Sequence, residues 1–92
     1  MDGRLQPTQH PGSAMSLLHI LLERIDPSQN MARFYVLSIE PTLFGDSALV
    51  REWGRIGSSS QRRSELFSQQ SEAHLALDAW LKRKRRRGYQ QR

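Results

Sequence analysis

Trp53-Gly54-Arg55 is the most distinctive group of residues in the chain. On an extended strand alternate side chains share a face, so Leu49, Arg51, Trp53 and Arg55 point one way while Val50 and Ile56 point the other. With Val50 and Ile56 turned to the core, Trp53 and Arg55 stand side by side on the outer face. An indole beside a guanidinium suits nucleic acid. The ring stacks on a base or sugar, and the planar fork takes a phosphate through two hydrogen bonds. Gly54 between them lets another backbone approach closely. The alternative is that Trp53 is core and Arg55 a solvated side chain, and spacing alone does not choose between the two.

A second feature is the run Lys82-Arg83-Lys84-Arg85-Arg86-Arg87. Successive cations on a helix point around it, so they cannot all face one partner, but together they raise the local potential for a phosphate backbone. The competing readings are a solvated helix end, the usual fate of a charge run, and an anionic membrane surface. Adjacent cations without alternating acids repel one another, which favours a partner. Lys84 falls on the apolar side of this helix, one turn beyond Trp80 and Leu81, where its stem also has a packing role.

Charge is distributed unevenly. Residues 1–59 carry five Lys/Arg against six Asp/Glu, and residues 60–92 carry nine against three, so the net +5 comes wholly from the last third. A basic field concentrated on one element points to a phosphate-rich partner. Cysteine is absent, which excludes disulfides, thiolate metal sites and a cysteine nucleophile, and favours a reducing compartment. His10, His19 and His74 are scattered without metal-ligand spacing, and no carboxylate pair or G-x-S-x-G is present. No stretch approaches the roughly 20 apolar residues of a membrane span, and the N-terminus does not read as a secretory signal. These features predict a binding protein of the cytoplasm, nucleoid-associated if DNA-bound, with no catalytic residues, metal, cofactor or small-molecule substrate.

The elements that must position these residues follow from periodicity. With 92 residues the chain is one domain. Residues 1–15, with Gly3, Pro7, Pro11 and Gly12, read as a flexible tail, and Met15 offers an alternative start that would place residues 1–14 outside the native protein. The domain is expected over 16–90. Residues 17–25 form an apolar run with Leu18, Ile20 and Leu22 on one face, a strand in competition with a short helix. Residues 33–40, aromatic and β-branched, are a clearer strand. Residues 48–56 and 61–67 follow, the last more polar and nearer an edge. From Ala73 the period changes: Ala73, Ala76, Leu77, Trp80 and Leu81 trace the apolar stripe of a helix. Ser68 or Ser71 is placed to cap its start, and Gly88 to end it. The fold class is α+β: a four- or five-stranded antiparallel sheet with one C-terminal amphipathic helix packed across it.

Trp53-Gly54-Arg55-Ile56-Gly57, after a strand opening Arg33-Phe34-Tyr35 and followed by Gln61, Phe67, Glu72-Ala73, Leu77, Leu81, Lys84 and Gly88-Tyr89, resembles the WGR domain. The resemblance covers about residues 17–89. It implies the same small sheet crossed by one helix. The family occurs in DNA-damage-responsive poly(ADP-ribose) polymerases, where the domain grips DNA breaks through its Trp and Arg. By resemblance those roles fall on Trp53 and Arg55, with Arg33 and Tyr89 as further positions near DNA. No polymerase domain is present, so that activity does not carry over. Two residues depart from the family pattern: Glu52 stands where a basic residue often precedes the tryptophan, and Ser60 where the turn often has a further glycine.

These readings together predict a non-catalytic module that grips DNA ends, nicks or duplex backbone. Its expected contacts are Trp53, Gly54 and Arg55, with Arg33, Arg51, Arg62, Arg63, Lys82, Arg83, Arg86 and Tyr89 around them, the arginines and lysines serving as phosphate contacts that carry no base sequence. The alternative is a protein-interaction module anchored by the same Trp/Arg surface. RNA binding is a third reading, while the GxxG spelled by Gly54–Gly57 follows a strand and does not fit an RNA-binding KH loop.

Overall fold

A computed structural model describes residues 18–92. The tail read in residues 1–15, the alternative start at Met15 and the domain start at residue 16 lie outside the described residues.

Strand β1 (Leu18–Asp26) leads through a short 3-10 turn (Pro27–Gln29) into β2 (Met31–Pro41). Then come β3 (Ser47–Arg55), β4 (Ser60–Phe67), helix α1 (Gln70–Arg86) and a two-residue strand β5 (Gln90–Gln91). All pairings are antiparallel and the strand order is β4-β3-β2-β1-β5. The sequence expectation of an α+β domain with a four- or five-stranded meander and one crossing helix is met, and the described part of the run expected at 17–25 is a strand.

The first turn is built by side chains. The Asp26 carboxylate accepts from the Ser28 amide and hydroxyl and from Gln29 Nε2, and Asn30 closes the turn in the left-handed region at φ 53°. These bonds, led by the Ser28 hydroxyl, hold the Asp26 carboxyl below its ordinary range.

Alternation along the strands decides what the helix covers. Leu22, Tyr35, Leu37, Ile39 and Leu49 point to one face and close a core with Ala73 and Leu77 of α1. Leu18, Ile20, Phe67, Ala76, Trp80 and Leu81 pack around its margin. The helix begins at Gln69 without a side-chain cap: neither Ser68 nor Ser71 performs that role, because the Ser68 hydroxyl instead donates to the Glu72 carboxylate at 3.2 Å. The C-terminus is as expected. Gly88, at φ 95°, lets its own amide reach the Arg85 carbonyl and the Tyr89 amide reach that of Lys84. The reversal returns the chain to β1, where β5 pairs with Leu22 and Glu23.

Candidate nucleic-acid interface

Residues opposite one another in the sheet form rows across the helix-bearing face. One row runs Leu22–Tyr35–Trp53–Gln61. The next, toward the β1–β2 turn, is Arg24–Arg33–Arg55, three arginines in direct cross-strand register. Like charges directly opposite each other in a sheet are destabilising, and strands lie only about 4.8 Å apart.

Trp53 lies on this face because Leu49, two turns of the pleat earlier, faces the helix. Of the two readings the spacing leaves open, Trp53 and Arg55 on an outer face or Trp53 in the core, the structure lies nearer the second: Trp53 shares the side of the core and packs half-buried at its margin. Trp53 and Arg55 do share a face, as alternation requires, and only the relation of that face to the helix is inverted.

Tyr35, 2% exposed, is the centre of an aromatic cluster. Trp53 stacks on it at 5.7 Å between centroids, Trp80 stacks at 6.3 Å, and Tyr89 meets it edge-on at 6.1 Å. Cations fill the remaining sides. Arg51 donates to the Tyr35 hydroxyl at 2.8 Å and lies 4.0 Å from the Trp80 centroid and 5.3 Å from that of Trp53. Arg83 covers Trp80 at 4.5 Å. Lys84 Nζ stands 4.4 Å over Tyr35 and 5.6 Å from Tyr89. Each such contact is worth about 0.5–2 kcal/mol.

These cations have aromatic rings for company in place of carboxylates. Among the described residues the ion pairs are Arg62 with Glu52 and Arg92 with Glu23, both outside the cluster. Burial, then the charges of Arg87, Arg51, Arg83 and Arg33, pull the Lys84 ammonium below the ordinary lysine range. Among the described residues the cluster cations thus have no carboxylate in close ion-pair contact, and Asp26 attracts only Arg24 at longer range.

The expected site residues divide by face. Arg33 is exposed in the arginine row, and Arg63 is exposed opposite Arg51. Arg55 is exposed but tethered, donating to the backbone carbonyl of Asn30 at 3.0 Å and to its Oδ1 at 3.3 Å. Arg51 is partly buried, a packing element as much as a surface one. Tyr89 joins the cluster through its edge-on contact with Tyr35. Arg62 points to the other face, where it pairs with Glu52, and the fold does not bring it to Trp53. Lys82, Arg83 and Arg86 line a depression on the helix with Leu75, Asp78 and Ala79, and of the three Arg83 also touches Trp80. Gly54 does admit a backbone, but the backbone is the protein's own. A side chain there would meet Ser59 O at 3.0 Å and Ser60 Cα at 3.2 Å.

Sequence reasoning missed Arg24, whose place beside Arg33 depends on the hairpin register. Trp80 reads as core in the sequence and Lys84 as packing. Both sit between core and surface, and no one-dimensional pattern distinguishes that margin from either side. Among the described residues no group of His, Cys, Asp or Glu is placed to hold a metal ion, and no helix is long and apolar enough to cross a membrane.

The result is a small sheet-and-helix domain whose signature strand presents tryptophan and arginine beside a cluster of cations. The family model described as the WGR domain matches residues 18–92, and the chain belongs to that family. The family is non-catalytic, and in poly(ADP-ribose) polymerase-like proteins it binds nucleic acid. The chain is also 53% identical over 74 residues to a protein of Sinorhizobium fredii (strain NBRC 101917 / NGR234) named "Uncharacterized protein y4dW". The match takes in 79% of this chain and 36% of that protein, so the chain spans little more than a third of its relative's length. No solved structure matches the chain.

Proposed function

We propose that this domain binds DNA without reading its sequence, gripping ends, nicks or duplex backbone with the helix-bearing face around Trp53. The observation that carries this reading is the Arg24–Arg33–Arg55 row beside Trp53 and Lys84, a concentration of positive charge that forms no close ion pair among the described residues and that Asp26 offsets only through its longer-range attraction to Arg24. A polyanion supplies the missing charge, and releasing its condensed counterions drives association.

The roles follow from position. The half-buried Trp53 ring, fixed on Tyr35, offers its accessible part for stacking on a terminal base or sugar. Arg33 and Arg24 take phosphates. Arg55 does so with the N–H groups not committed to Asn30, since a guanidinium has five. Tyr89 and Lys84 extend the surface at the helix C-terminus. Among the described residues no helix is free to enter a major groove, because α1 is laid on the sheet, so contacts to backbone and ends are favoured over base edges. On this reading the domain acts in the cytoplasm, at the nucleoid, with no cofactor.

Fluorescence anisotropy with blunt duplex, nicked duplex and single-stranded DNA tests this, with a matched RNA duplex as competitor. Wild type is expected to prefer ends or nicks. Trp53→Ala is expected to lose that preference, and Trp53→Phe, which keeps a ring on Tyr35, to retain part of it. Absence of binding to every DNA at low salt would overturn the reading, and a stronger hold on the RNA duplex would transfer it to RNA.

A further inference from the structure

The β2–β3 connection places Leu43 and Phe44 at the tip of a hairpin, 93% and 88% exposed. Exposed apolar side chains are ordinary when scattered singly. Here a leucine and a phenylalanine are adjacent at nearly full exposure, in positions where turns usually carry Gly, Asn, Asp, Ser or Pro. The loop is closed by its own hydrogen bonds. The Thr42 amide donates to the Asp46 carbonyl at 3.0 Å, the Gly45 amide to the Thr42 carbonyl at 3.4 Å, and the Phe44 amide to the Thr42 hydroxyl at 3.2 Å. Gly45 supplies the positive φ of 88° that the reversal needs. Ser47 and Ala48 are buried just behind the tip, so the knob stands on a fixed base.

Charge around the tip is opposite to that at Trp53. From Phe34 to Val50 the chain has no Lys or Arg, and its charged residues are Glu40 and Asp46. Both are half-buried beside the loop. An apolar tip flanked by carboxylates is repelled by nucleic acid and by anionic lipid. It complements an apolar pocket with a basic rim. The tip also lies at the far end of β3 from Arg55, and the eight residue-to-residue steps of that strand at roughly 3.3 Å each separate its two ends by about 26 Å. A ligand at one end leaves the other open.

We propose that Leu43 and Phe44 form a docking knob for a second protein, one with an apolar pocket edged by Lys or Arg, making the domain a two-ended adaptor. The proposal goes beyond the DNA reading and does not depend on it.

The test is photo-crosslinking from the tip in the cells the protein comes from, with benzoylphenylalanine in place of Phe44 and, as a control, in place of the exposed Leu66. The protein joined from position 44 alone is then purified and titrated against wild type and against Leu43→Ser and Phe44→Ser chains. The expected result is one defined partner and a loss of at least about tenfold in affinity for either variant, with melting temperature and DNA anisotropy unchanged. The proposal is overturned if no protein joins from position 44, if the joined protein is another copy of this chain, or if its affinity ignores both variants. Tip-dependent sedimentation with phosphatidylglycerol vesicles would also overturn it, by making the ligand a membrane. DNA binding can fail in its own assay with the crosslink intact, and the reverse, so the two readings are tested separately.

Discussion

The Ser60 hydroxyl donates a 2.7 Å hydrogen bond to the Glu52 carboxylate, and both side chains lie on the sheet face opposite Trp53. By the resemblance to the family a basic residue and a glycine are common at these two positions, and in the fold the residues present answer each other. Ser60 comes opposite Gly54 at the start of β4, within reach of Glu52, and Arg62 adds a 3.7 Å ion pair. The acid next to the signature tryptophan in sequence is thus turned away from it in space and held by two partners.

Neutralising Glu52 is therefore expected to leave DNA binding almost intact. Glu52→Gln changes duplex affinity by less than about threefold, and its exposed pair with Arg62 contributes no more than about 1 kcal/mol to stability. Anisotropy and thermal melting of the variant check both halves. A rise in affinity of tenfold or more would place Glu52 in the field of the site.

Gly54→Ala acts on folding. The added methyl meets the Ser59 carbonyl and the Ser60 α-carbon, both backbone, so the β3–β4 return must shift. A cost of about 1–3 kcal/mol is expected, which for a domain of this size lowers Tm by roughly 4–8 °C per kcal/mol. Affinity per folded molecule is expected to persist. Loss of binding at unchanged Tm would mean that the glycine serves the ligand.

Lys84 ties stability to pH and to ligand. Its ammonium is held below the lysine range first by burial and then by Arg87, Arg51, Arg83 and Arg33. Between the lowered folded pKa and the unfolded value of 10.5 the unfolded chain binds more protons, so the charge penalises the fold below that window and the penalty fades as pH rises through it. Lys84→Met keeps the stem and removes the charge. It is expected to match or exceed wild type in Tm at neutral pH while weakening DNA binding. A marked fall in Tm would show that the contact with the Tyr35 ring outweighs desolvation.

Arg51 and Arg33 carry the same charge to different ends. Arg51→Gln loses the Tyr35 hydrogen bond and the faces of two tryptophans, so a cost of about 1–2 kcal/mol and altered tryptophan emission are expected. Arg33→Gln relieves repulsion with Arg24 and Arg55 and is expected to preserve or raise Tm while reducing affinity. Differential scanning fluorimetry beside anisotropy separates the two effects.

Much of this can be read from the residues alone. Strand β2 announces itself through Phe34, Tyr35, Val36 and Ile39, and the helix through the spacing of Ala73, Leu77 and Trp80 with Gly88 at its end. What escapes are relations set by register and by the choice of face. Leu49 and Val50 are both apolar and both buried, so alternation cannot say which face the helix takes, and the side of Trp53 hangs on that choice. Arg24 sits six residues past the start of β1 with nothing local to mark it, and it joins Arg33 and Arg55 only once three strands are aligned. Arg62 and Arg63 are neighbours in sequence, yet the pleat sends them to opposite faces.

The most direct measurement is the salt dependence of duplex binding for wild type, for the Arg24→Gln, Arg33→Gln double variant, and for Arg62→Gln. The double variant is expected to weaken binding and to reduce the slope of log affinity against log salt by close to two, at about 0.9 for each phosphate no longer neutralised, while Arg62→Gln leaves both unchanged. Equal slopes for all three proteins, or a loss confined to Arg62→Gln, would contradict the claim that DNA lies on the face of Trp53.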